Sequence, residues 1–343
     1  MVTTASPSRR ARRGSGAVTL HDVARLAGVA PITASRAVNT PERVSEDVLK
    51  RVNEAIASTG YVPNRLAGSL ASTRSRLVAA VVPTLSGPIF LATVQALTDA
   101  LAAQGYQLML GQTGYAGSRE DDLLDAIIGR RPDGIVLTGV MHSAESRRRL
   151  EASGIPVVET WDLTDQPVDM LVGFSHVEVG RQVAAFFHAR GRRAWALVSG
   201  DDERARRRRT AFEASAQALG VGPVLAKVVP SPTTLGMGRA ALVELLASGQ
   251  AVDAVFCSSD LLALGVMTEA RARGIDVPGQ LAVLGFGDID FAADLHPALS
   301  TVRIHPDLVG QRAAAFIVAR AEGRTVSEKI VDIGFTIVER AST

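Results

Sequence analysis

Hydrophobic residues near the amino terminus recur every three or four positions, which is the spacing of one face of an α-helix. The first stripe consists of Leu20, Val23, Ala24 and Ala27, and the second of Ile32, Ala34, Ala37 and Val38. Gly28 lies between the stripes and permits a tight turn, and Pro31 suits the first position of a helix. The pattern predicts a helix-turn-helix.

A third helix is indicated by its end signals. Ser45 is a favourable N-cap residue, and Glu46 and Asp47 place negative charge in the first turn. Gly60 is a typical helix stop, so the helix is predicted to run through Ser58.

Beyond Arg76 the pattern changes to short apolar runs that alternate with amphipathic segments. Strands are predicted at residues 77–82, 106–110, 134–138, 156–159, 171–174, 194–198, 224–229, 254–257 and 281–284. Helices are predicted at residues 89–104, 118–130, 144–153, 178–190, 202–219, 235–247 and 261–273. Strand followed by helix, repeated with short connections, is typical of parallel sheets covered on both faces. The chain has more strand–helix units than a single sheet usually contains, so we predict two α/β lobes, each with a doubly wound parallel sheet.

Composition narrows the class of protein. The chain has 343 residues, 47% of them hydrophobic, which suits one small and one larger, two-lobed unit. No apolar run approaches the length of a membrane span. The single cysteine, Cys257, lies on a predicted strand, so neither a disulfide framework nor a thiolate metal cluster is expected. Residues 1–17 lack the apolar stretch of a signal peptide and are expected to form a disordered basic arm of a cytoplasmic protein.

Charge is distributed unevenly between the two parts of the chain. Residues 1–76 contain twelve Arg and Lys against five Asp and Glu, whereas the whole chain has a net charge of only +2. A basic segment attached to an acidic remainder favours binding to the phosphate backbone of double-stranded DNA.

In a helix-turn-helix, the second helix lies in the major groove and its amino-terminal residues meet the base edges. On this basis we predict DNA contacts from Thr19, Pro31, Ile32, Thr33, Ser35, Arg36 and Asn39. Of these, Thr19 is expected to contact the backbone, and Ile32 and Arg36 are expected to read bases.

Residues 18–39 resemble the amino-terminal signature of the LacI/GalR family of bacterial transcription factors. The segment that follows, T-P-E-R-V-S and then Y-V-P-N, is similar to the family's path into a short hinge helix, here Arg65 to Ala71. The resemblance adds Tyr61, Asn64, Arg65 and Leu70 to the predicted DNA contacts. It implies that hinge helices from two subunits lie in the minor groove and that each inserts Leu70 between base pairs. An apolar side chain in a small, polar stretch suits such a wedge, although an ordinary linker leucine is the alternative.

The resemblance also implies a periplasmic-binding-protein-like core whose chain crosses between lobes near Phe174, Arg303 and Asp332. We therefore expect the arm over residues 1–17, an all-α helix-turn-helix DNA-binding domain over 18–63 and a hinge helix or linker over 64–75. Residues 76–343 would form the effector-binding and dimerisation domain. Its N-lobe would comprise about 76–173 and 304–331, and its C-lobe about 174–303 and 332–340.

Two-lobed, doubly wound folds bind ligands in a cleft that faces the carboxyl ends of the strands. The loops expected there supply hydrogen-bonding groups and a few aromatic rings, which suits a polyhydroxylated ligand. We predict effector contacts from Ser86, Phe90, Thr138, His142, Trp161, Phe174, Arg204, Arg208, Ser259 and Asp288. By resemblance, Arg208 falls where family members place a basic ligand-binding residue, which would pair with a carboxylate or phosphate. Asp260 begins a predicted helix and is expected to be its N-cap.

A finer resemblance, to the gluconate-operon repressors, extends over the whole effector domain. It rests on residues 137–146, 154–162, 169–175, 202–204, 253–263 and 332–337. It implies an aldonate such as gluconate as the effector. The chain departs from that subgroup at Pro31-Ile32, so its operator sequence cannot be transferred. The acid that commonly follows Gly-Phe in the broad family is replaced here by Gly287.

The expected function is a homodimeric repressor, without a cofactor, that a small sugar acid releases from operator DNA. The chain ends at Thr343 without an added leucine-heptad helix, which disfavours a tetramer. The alternatives are a regulator of the same family that responds to a neutral or phosphorylated sugar, with the ligand as inducer or co-repressor, and a sugar-binding receptor without a DNA role. An enzyme is not expected, because the G-x-G-x-x-A run at Gly236 falls inside a predicted helix start and other catalytic motifs are missing.

Overall fold

The structure is a computed structural model that describes residues 18–62, 74–115, 118–140 and 142–343. The chain divides into two compact units between Ser75 and Arg76. The predicted basic arm and the predicted hinge helix, with Asn64, Arg65 and Leu70, lie outside the described residues. No helix in the described part of the chain is long and apolar enough to cross a membrane.

The amino-terminal unit consists of three helices packed around small apolar side chains. The helices are α1 (Leu20–Leu26), α2 (Pro31–Asn39) and α3 (Glu46–Thr59). Val23, Ala34 and Val52, one from each helix, are fully buried at the centre. Gly28, between α1 and α2, has φ +64°, a left-handed conformation that glycine adopts without steric cost. The predicted helix-turn-helix is therefore present.

One residue of the predicted second stripe does not belong to the core. Ile32 is 61% exposed, whereas Ala34 and Ala37 are buried. Successive residues of an α-helix are about 100° apart, so Ile32 lies on roughly the opposite side from Ala34. It shares its exposed side with Arg36, one turn further along.

The second unit alternates strands and helices, as predicted. Its strands are β1 (Leu77–Val82), β2 (Gln107–Gln112), β3 (Gly134–Thr138), β4 (Val157–Thr160), β5 (Met170–Gly173), β6 (Trp195–Gly200), β7 (Leu225–Val229), β8 (Ala254–Cys257), β9 (Ala282–Gly287), β10 (Ser300–Arg303), β11 (Ile330–Asp332) and β12 (Thr336–Val338). Its helices are α4 (Pro88–Ala102), α5 (Ser118–Ile128), α6 (Ala144–Ser153), α7 (His176–Ala189), α8 (Glu203–Ala218), α9 (Leu235–Ala247), α10 (Asp260–Ala272) and α11 (Pro306–Ala321).

The strands form two six-stranded sheets, which define a first and a second lobe. The strand order is β11-β5-β4-β3-β1-β2 in the first lobe and β12-β10-β9-β8-β6-β7 in the second. Every pairing is parallel except that of β10 with β12. The chain passes between the sheets after Gly173, after Arg303 and after Asp332. The predicted fold class, an all-α DNA-binding domain with a two-lobed α/β core, is confirmed.

The order of the strands determines where a ligand can bind. In the first lobe, β2 and β3 follow β1 along the chain and lie on either side of it. In the second lobe, β7 and β8 lie on either side of β6 in the same way. Such a reversal opens a crevice at the carboxyl ends of the two strands. The loops after β1, β3, β6 and β8 therefore border the cleft.

Candidate DNA-binding surface and effector pocket

Helix α2 carries most of the predicted DNA contacts of this unit, including both predicted base-reading residues. Pro31, Ile32, Arg36 and Asn39 are exposed, and Thr33 and Ser35 are half-buried. The guanidinium of Arg36 makes no hydrogen bond or ion pair within residues 18–62. An arginine without a protein partner on such a face is available to a phosphate or to a guanine edge.

The remaining predicted DNA contacts in this unit have partners or packing of their own. The Thr19 hydroxyl donates to Asp22 (2.7 Å), which holds the pKa of that carboxyl below its usual value. The Asn39 amide donates to the Ser35 carbonyl oxygen, 2.9 Å away. Tyr61 is half-buried against the core of the three helices. These contacts fix the helix ends and leave α2 itself as the candidate recognition element.

A pocket lies between the two lobes at the carboxyl ends of the sheets. The first lobe contributes side chains that include Thr84, Ile89, Phe90, Tyr115 and Trp161. The second lobe contributes others, among them His176, Asp202, Arg204, Arg208, Ser231, Thr233, Ser258, Ser259, Asp260 and Phe286. The volume of this cavity is about 100 Å³.

Arg208 is a buried cation without a carboxylate partner among the described residues. Arg208 lies near the start of α8, and only 5% of the residue is exposed. Its Nη1 lies 2.9 Å from His176 Nδ1, and its Nη2 donates to the Ser258 carbonyl oxygen at 3.3 Å. Its guanidinium carbon lies 3.9 Å from the centre of the Phe286 ring. Burial lowers the pKa of Arg208 to about 10, so the group is charged at neutral pH.

The hydrogen bonds of His176 determine its protonation. Its Nε2 lies 2.9 Å from the Trp161 carbonyl oxygen, which can only accept, so Nε2 carries the proton. Nδ1 is therefore the acceptor for Arg208. Burial, together with the charge of Arg208, lowers the pKa of His176 well below 6.5. Neutral His176 thus orients the guanidinium without neutralising it.

Two buried donors of the pocket lining make no hydrogen bond within the described residues, Arg208 Nε and Trp161 Nε1. Buried N–H groups are almost always paired in folded proteins, so an unpaired donor in a pocket indicates a place for an acceptor. A carboxylate that accepts from Arg208 Nε would supply it and would also neutralise the charge.

The pocket lining also contains hydroxyl and carboxylate groups. Asp260 accepts hydrogen bonds from the Ile289 amide (2.9 Å) and the Thr301 hydroxyl (2.6 Å), and burial raises its pKa to about 6. The Thr233 and Ser259 hydroxyls lie 2.9 Å apart. Such groups can donate to and accept from the hydroxyls of a polyol.

The predicted N-cap role of Asp260 is wrong. Ser259 is the N-cap of α10, because its hydroxyl accepts from the Leu262 amide at 3.3 Å. Asp260 is the first helical residue, and its side chain is buried in the pocket lining. Both residues face the pocket, so the helix start contributes two groups there.

Five of the ten predicted effector residues line this pocket, namely Phe90, Trp161, Arg204, Arg208 and Ser259. Phe90 and Trp161 pack edge to face, with ring centres 5.0 Å apart. The guanidinium carbon of Arg204 lies 5.2 Å from the Phe90 ring centre, and Arg204 Nη1 donates to the Thr138 carbonyl oxygen at 3.3 Å. Arg204 thus reaches from the second lobe to the first.

Thr138 and His142 lie in a second, outer cavity that shares Tyr115, Asp202 and Arg204 with the pocket. His142 is held between two carboxylates, with Nδ1 2.5 Å from Glu120 and Nε2 3.1 Å from Glu159. Burial opposes the charged imidazole, but the hydrogen bonds to these carboxylates raise its pKa to about 9. The side chain is engaged by protein groups and does not reach the inner pocket.

Ser86, Phe174 and Asp288, which were also predicted to contact the effector, lie outside the lining of both cavities. Ser86 is exposed, and its amide donates to the Thr84 hydroxyl oxygen. Thr84, rather than Ser86, lines the pocket. Phe174 is fully buried behind His176, with ring centres 4.7 Å apart.

The third of these residues, Asp288, has its carboxylate occupied by two arginines. Its oxygens lie 2.5 Å from Arg303 Nε and 2.7 Å from Arg340 Nη1. The carboxylate is therefore committed to an ion-pair cluster of the second lobe.

Several lining residues were absent from the predicted effector set, including Thr84, Tyr115, His176, Asp260 and Phe286. All of them lie at or just after the end of a strand, which is where the cleft was expected. Which side chain of a loop points inward depends on packing, and a single sequence does not contain that signal.

A helix-turn-helix unit joined to a two-lobed α/β domain with an enclosed small-molecule pocket defines a DNA-binding transcriptional regulator. Residues 19–64 match the family described as bacterial regulatory proteins, lacI family, and residues 184–343 match the periplasmic binding protein-like domain. The chain belongs to the LacI family.

Curated relatives and solved structures agree with this assignment. The HTH-type transcriptional regulator GntR of Pseudomonas aeruginosa is 38% identical over 333 residues, which is 96% of this chain and 97% of that protein. GntR of Escherichia coli is 31% identical over 319 residues, or 93% of this chain and 96% of that protein. A LacI family regulator from Silicibacter pomeroyi superposes with a TM-score of 0.90 at 31% identity, covering 95% of this chain and 99% of that one. GntR from Chromobacterium violaceum has a TM-score of 0.74 at 32% identity over 78% of this chain and 98% of that one.

Proposed function

We propose that this regulator is a homodimeric repressor that a small sugar acid, with gluconate as the first candidate, releases from its operator. The family assignment excludes a sugar-binding receptor without a DNA role. Because the partner is chromosomal DNA, the protein acts in the cytoplasm. Its base-reading residues are Ile32 and Arg36, and Leu70 is the wedge in the minor groove.

The observation that carries the effector proposal is the unpaired charge of Arg208. Among the charged residues of the lining, Arg204 lies beside Asp202, with Nε 3.9 Å from Oδ1. Arg208 has no such carboxylate among the described residues, and His176 beside it is neutral. The carboxylate of Asp260, which also lines the pocket, accepts hydrogen bonds from the Ile289 amide and the Thr301 hydroxyl and forms no ion pair with Arg208. One negative charge from a ligand can therefore pair with Arg208, beside groups suited to hydroxyls.

This charge balance separates the proposed effector from the two alternatives. A neutral sugar would leave Arg208 buried without a counter-charge, which is costly in a desolvated site. A phosphorylated sugar acid would bring additional negative charge, for which the described lining offers no second unpaired cation. A hydroxylated monocarboxylate fits the charge of Arg208 and the hydroxyl and carboxylate groups of the lining.

Calorimetric titration of the full-length protein with gluconate, glucose and 6-phosphogluconate tests the proposal. Gluconate is expected to bind most tightly. In the Arg208→Lys variant, gluconate affinity is expected to fall roughly tenfold or more, because a lysine cannot reproduce the charged hydrogen bonds of the guanidinium.

Arg209→Lys is the matched control, because Arg209 is the next arginine of α8 and lies outside the lining of both cavities. Its gluconate affinity should equal that of the wild type. Thermal melting of all three proteins checks that buried Arg208 can be replaced without unfolding. Unchanged gluconate affinity in folded Arg208→Lys, or glucose affinity equal to that of gluconate, would overturn the proposal.

A further inference from the structure

Ile32 is an exposed aliphatic side chain in the middle of a candidate recognition surface. It is 61% exposed on the first turn of α2, directly after Pro31. Single exposed hydrophobic residues are common and need no explanation by themselves. The position of Ile32 distinguishes it, because this turn meets base edges when a helix-turn-helix docks in the major groove.

The neighbours of Ile32 strengthen this distinction. Arg36 follows one turn later on the same face, exposed and without a partner in the described part of this unit. Ser35 and Asn39 are joined to each other by hydrogen bonds of the Asn39 amide to the Ser35 carbonyl and hydroxyl oxygens. The exposed face of α2 therefore presents one large apolar group and one cation that has no partner among residues 18–62.

An isoleucine side chain can neither donate nor accept a hydrogen bond, so it can discriminate bases only by apolar contact. In the major groove, adenine, guanine and cytosine present donors and acceptors at their edges. Thymine also presents a 5-methyl group, the apolar feature of the four natural base edges. Among the four bases, thymine is therefore the best match for an apolar contact from Ile32.

We propose that Ile32 reads the 5-methyl group of a thymine in each half of the operator. This inference rests on the proposed docking of α2 in the major groove. The contact removes one methyl group and part of the isoleucine from water, which corresponds to roughly a fourfold gain in affinity per half-site. Two half-sites together give roughly fifteenfold.

The test uses the double-stranded site that the full-length protein selects from a randomised DNA pool. At each position where both half-sites contain a thymine, the two thymines are replaced together by deoxyuridine, which lacks only the methyl group. Replacement at one such position is expected to weaken wild-type binding by roughly fifteenfold. In Ile32→Ala that penalty should fall below about twofold, and in Ile32→Val it should be intermediate.

Leu26→Ala is the matched control. Leu26 is 59% exposed, almost the same as Ile32, but lies on α1 rather than on the recognition helix. Its deoxyuridine penalties should match those of the wild type. Because Ile32 and Leu26 are both exposed, neither change removes core packing, and thermal melting confirms that each variant is folded.

Three results overturn the inference. One is the absence of any thymine whose methyl group matters, and another is a penalty that persists undiminished in Ile32→Ala. The third separates the inference from the docking on which it depends. If Ile32→Ala and Arg36→Ala both select the same site as the wild type, α2 does not read the bases at all.

Discussion

At the scale of single residues, the two buried histidines of the effector domain have opposite protonation for physical reasons. His176 lies beside the Arg208 cation and donates to a carbonyl oxygen, so it is neutral. His142 lies between Glu120 and Glu159, and the two carboxylates keep it charged. The first leaves a positive charge free for a ligand, and the second cancels charge within the protein. Residue type alone did not distinguish these roles.

The charged state of His142 makes the stability of the domain depend on pH. Its pKa is about 9 in the folded protein, whereas the ordinary value, which applies to the unfolded chain, is 6.5. Since the folded pKa is the higher one, the stabilisation is complete below pH 6.5 and is lost as the pH rises through 9. The difference corresponds to about 3 kcal/mol of unfolding free energy.

Urea unfolding of the effector domain in the full-length protein measures this effect. Between pH 6.5 and pH 9, the wild type is expected to lose about 3 kcal/mol more than His142→Gln, which has no imidazole to titrate. Comparison with the variant cancels the pH dependence that the other titratable groups contribute to both proteins. Equal losses in the two proteins would show that His142 is not held as a cation.

At the scale of secondary-structure elements, α8 and its N-cap supply both arginines and one of the two aspartates that line the pocket. Asp202 is its N-cap, Arg204 and Arg208 line the pocket, and Arg207 forms an ion pair with Asp162 (3.1 Å) after β4 of the first lobe. The helix is held against α7 at Gly180. A Cβ atom on Gly180 would lie 2.4 Å from the Arg208 carbonyl oxygen, far inside contact distance.

The close approach of α7 and α8 predicts the effect of a single methyl group. Gly180→Ala must push α8 outward at Arg208, which is expected to cost about 1–3 kcal/mol of stability and to weaken gluconate binding. Gly222→Ala is the control, because no atom lies within 4 Å of its Cβ position and its φ is not in the left-handed region. Urea unfolding and gluconate titration measure both. A Gly180→Ala protein as stable as Gly222→Ala would contradict the packing described.

Most elements were predictable from periodicity, because apolar runs and amphipathic segments alternate strongly from β1 to β9. The carboxyl-terminal part was not assigned. The edge strands β11 and β12 have three residues each and are largely exposed, so they lack an apolar run. Helix α11 begins at Pro306 and buries Val309, Ala313 and Ile317, a helical stripe that was open to prediction and was missed.

The pocket was predictable as a set of loops but not as a set of contacts. Strand order is a tertiary property, yet the carboxyl-end rule already directed attention to Arg204, Arg208 and Ser259. The placement of Asp288 depended on Arg340, which lies 52 positions away in the chain and has no local signal. The N-cap of α10 was misplaced by a single residue, because Ser259 and Asp260 are both good capping residues.

At the scale of the whole molecule, the effector pocket is formed by two lobes that are also joined directly. Arg204 reaches Phe90 and the Thr138 carbonyl, and Arg207 pairs with Asp162, so two arginines of the second lobe hold the first. A ligand in the pocket would contact both lobes, including Arg204 and Phe90, which belong to this connection. It can therefore favour one arrangement of the lobes over another, which is the requirement for changing DNA affinity at a separate site.

The central claim is that a sugar acid in the cleft and operator DNA oppose each other. Thermodynamic linkage requires that the effect be reciprocal. Operator affinity is measured with and without saturating gluconate, and gluconate affinity with and without saturating operator. The account predicts that each ligand lowers the affinity of the other by the same factor, roughly 5- to 150-fold. Operator affinity unchanged at saturating gluconate would contradict it.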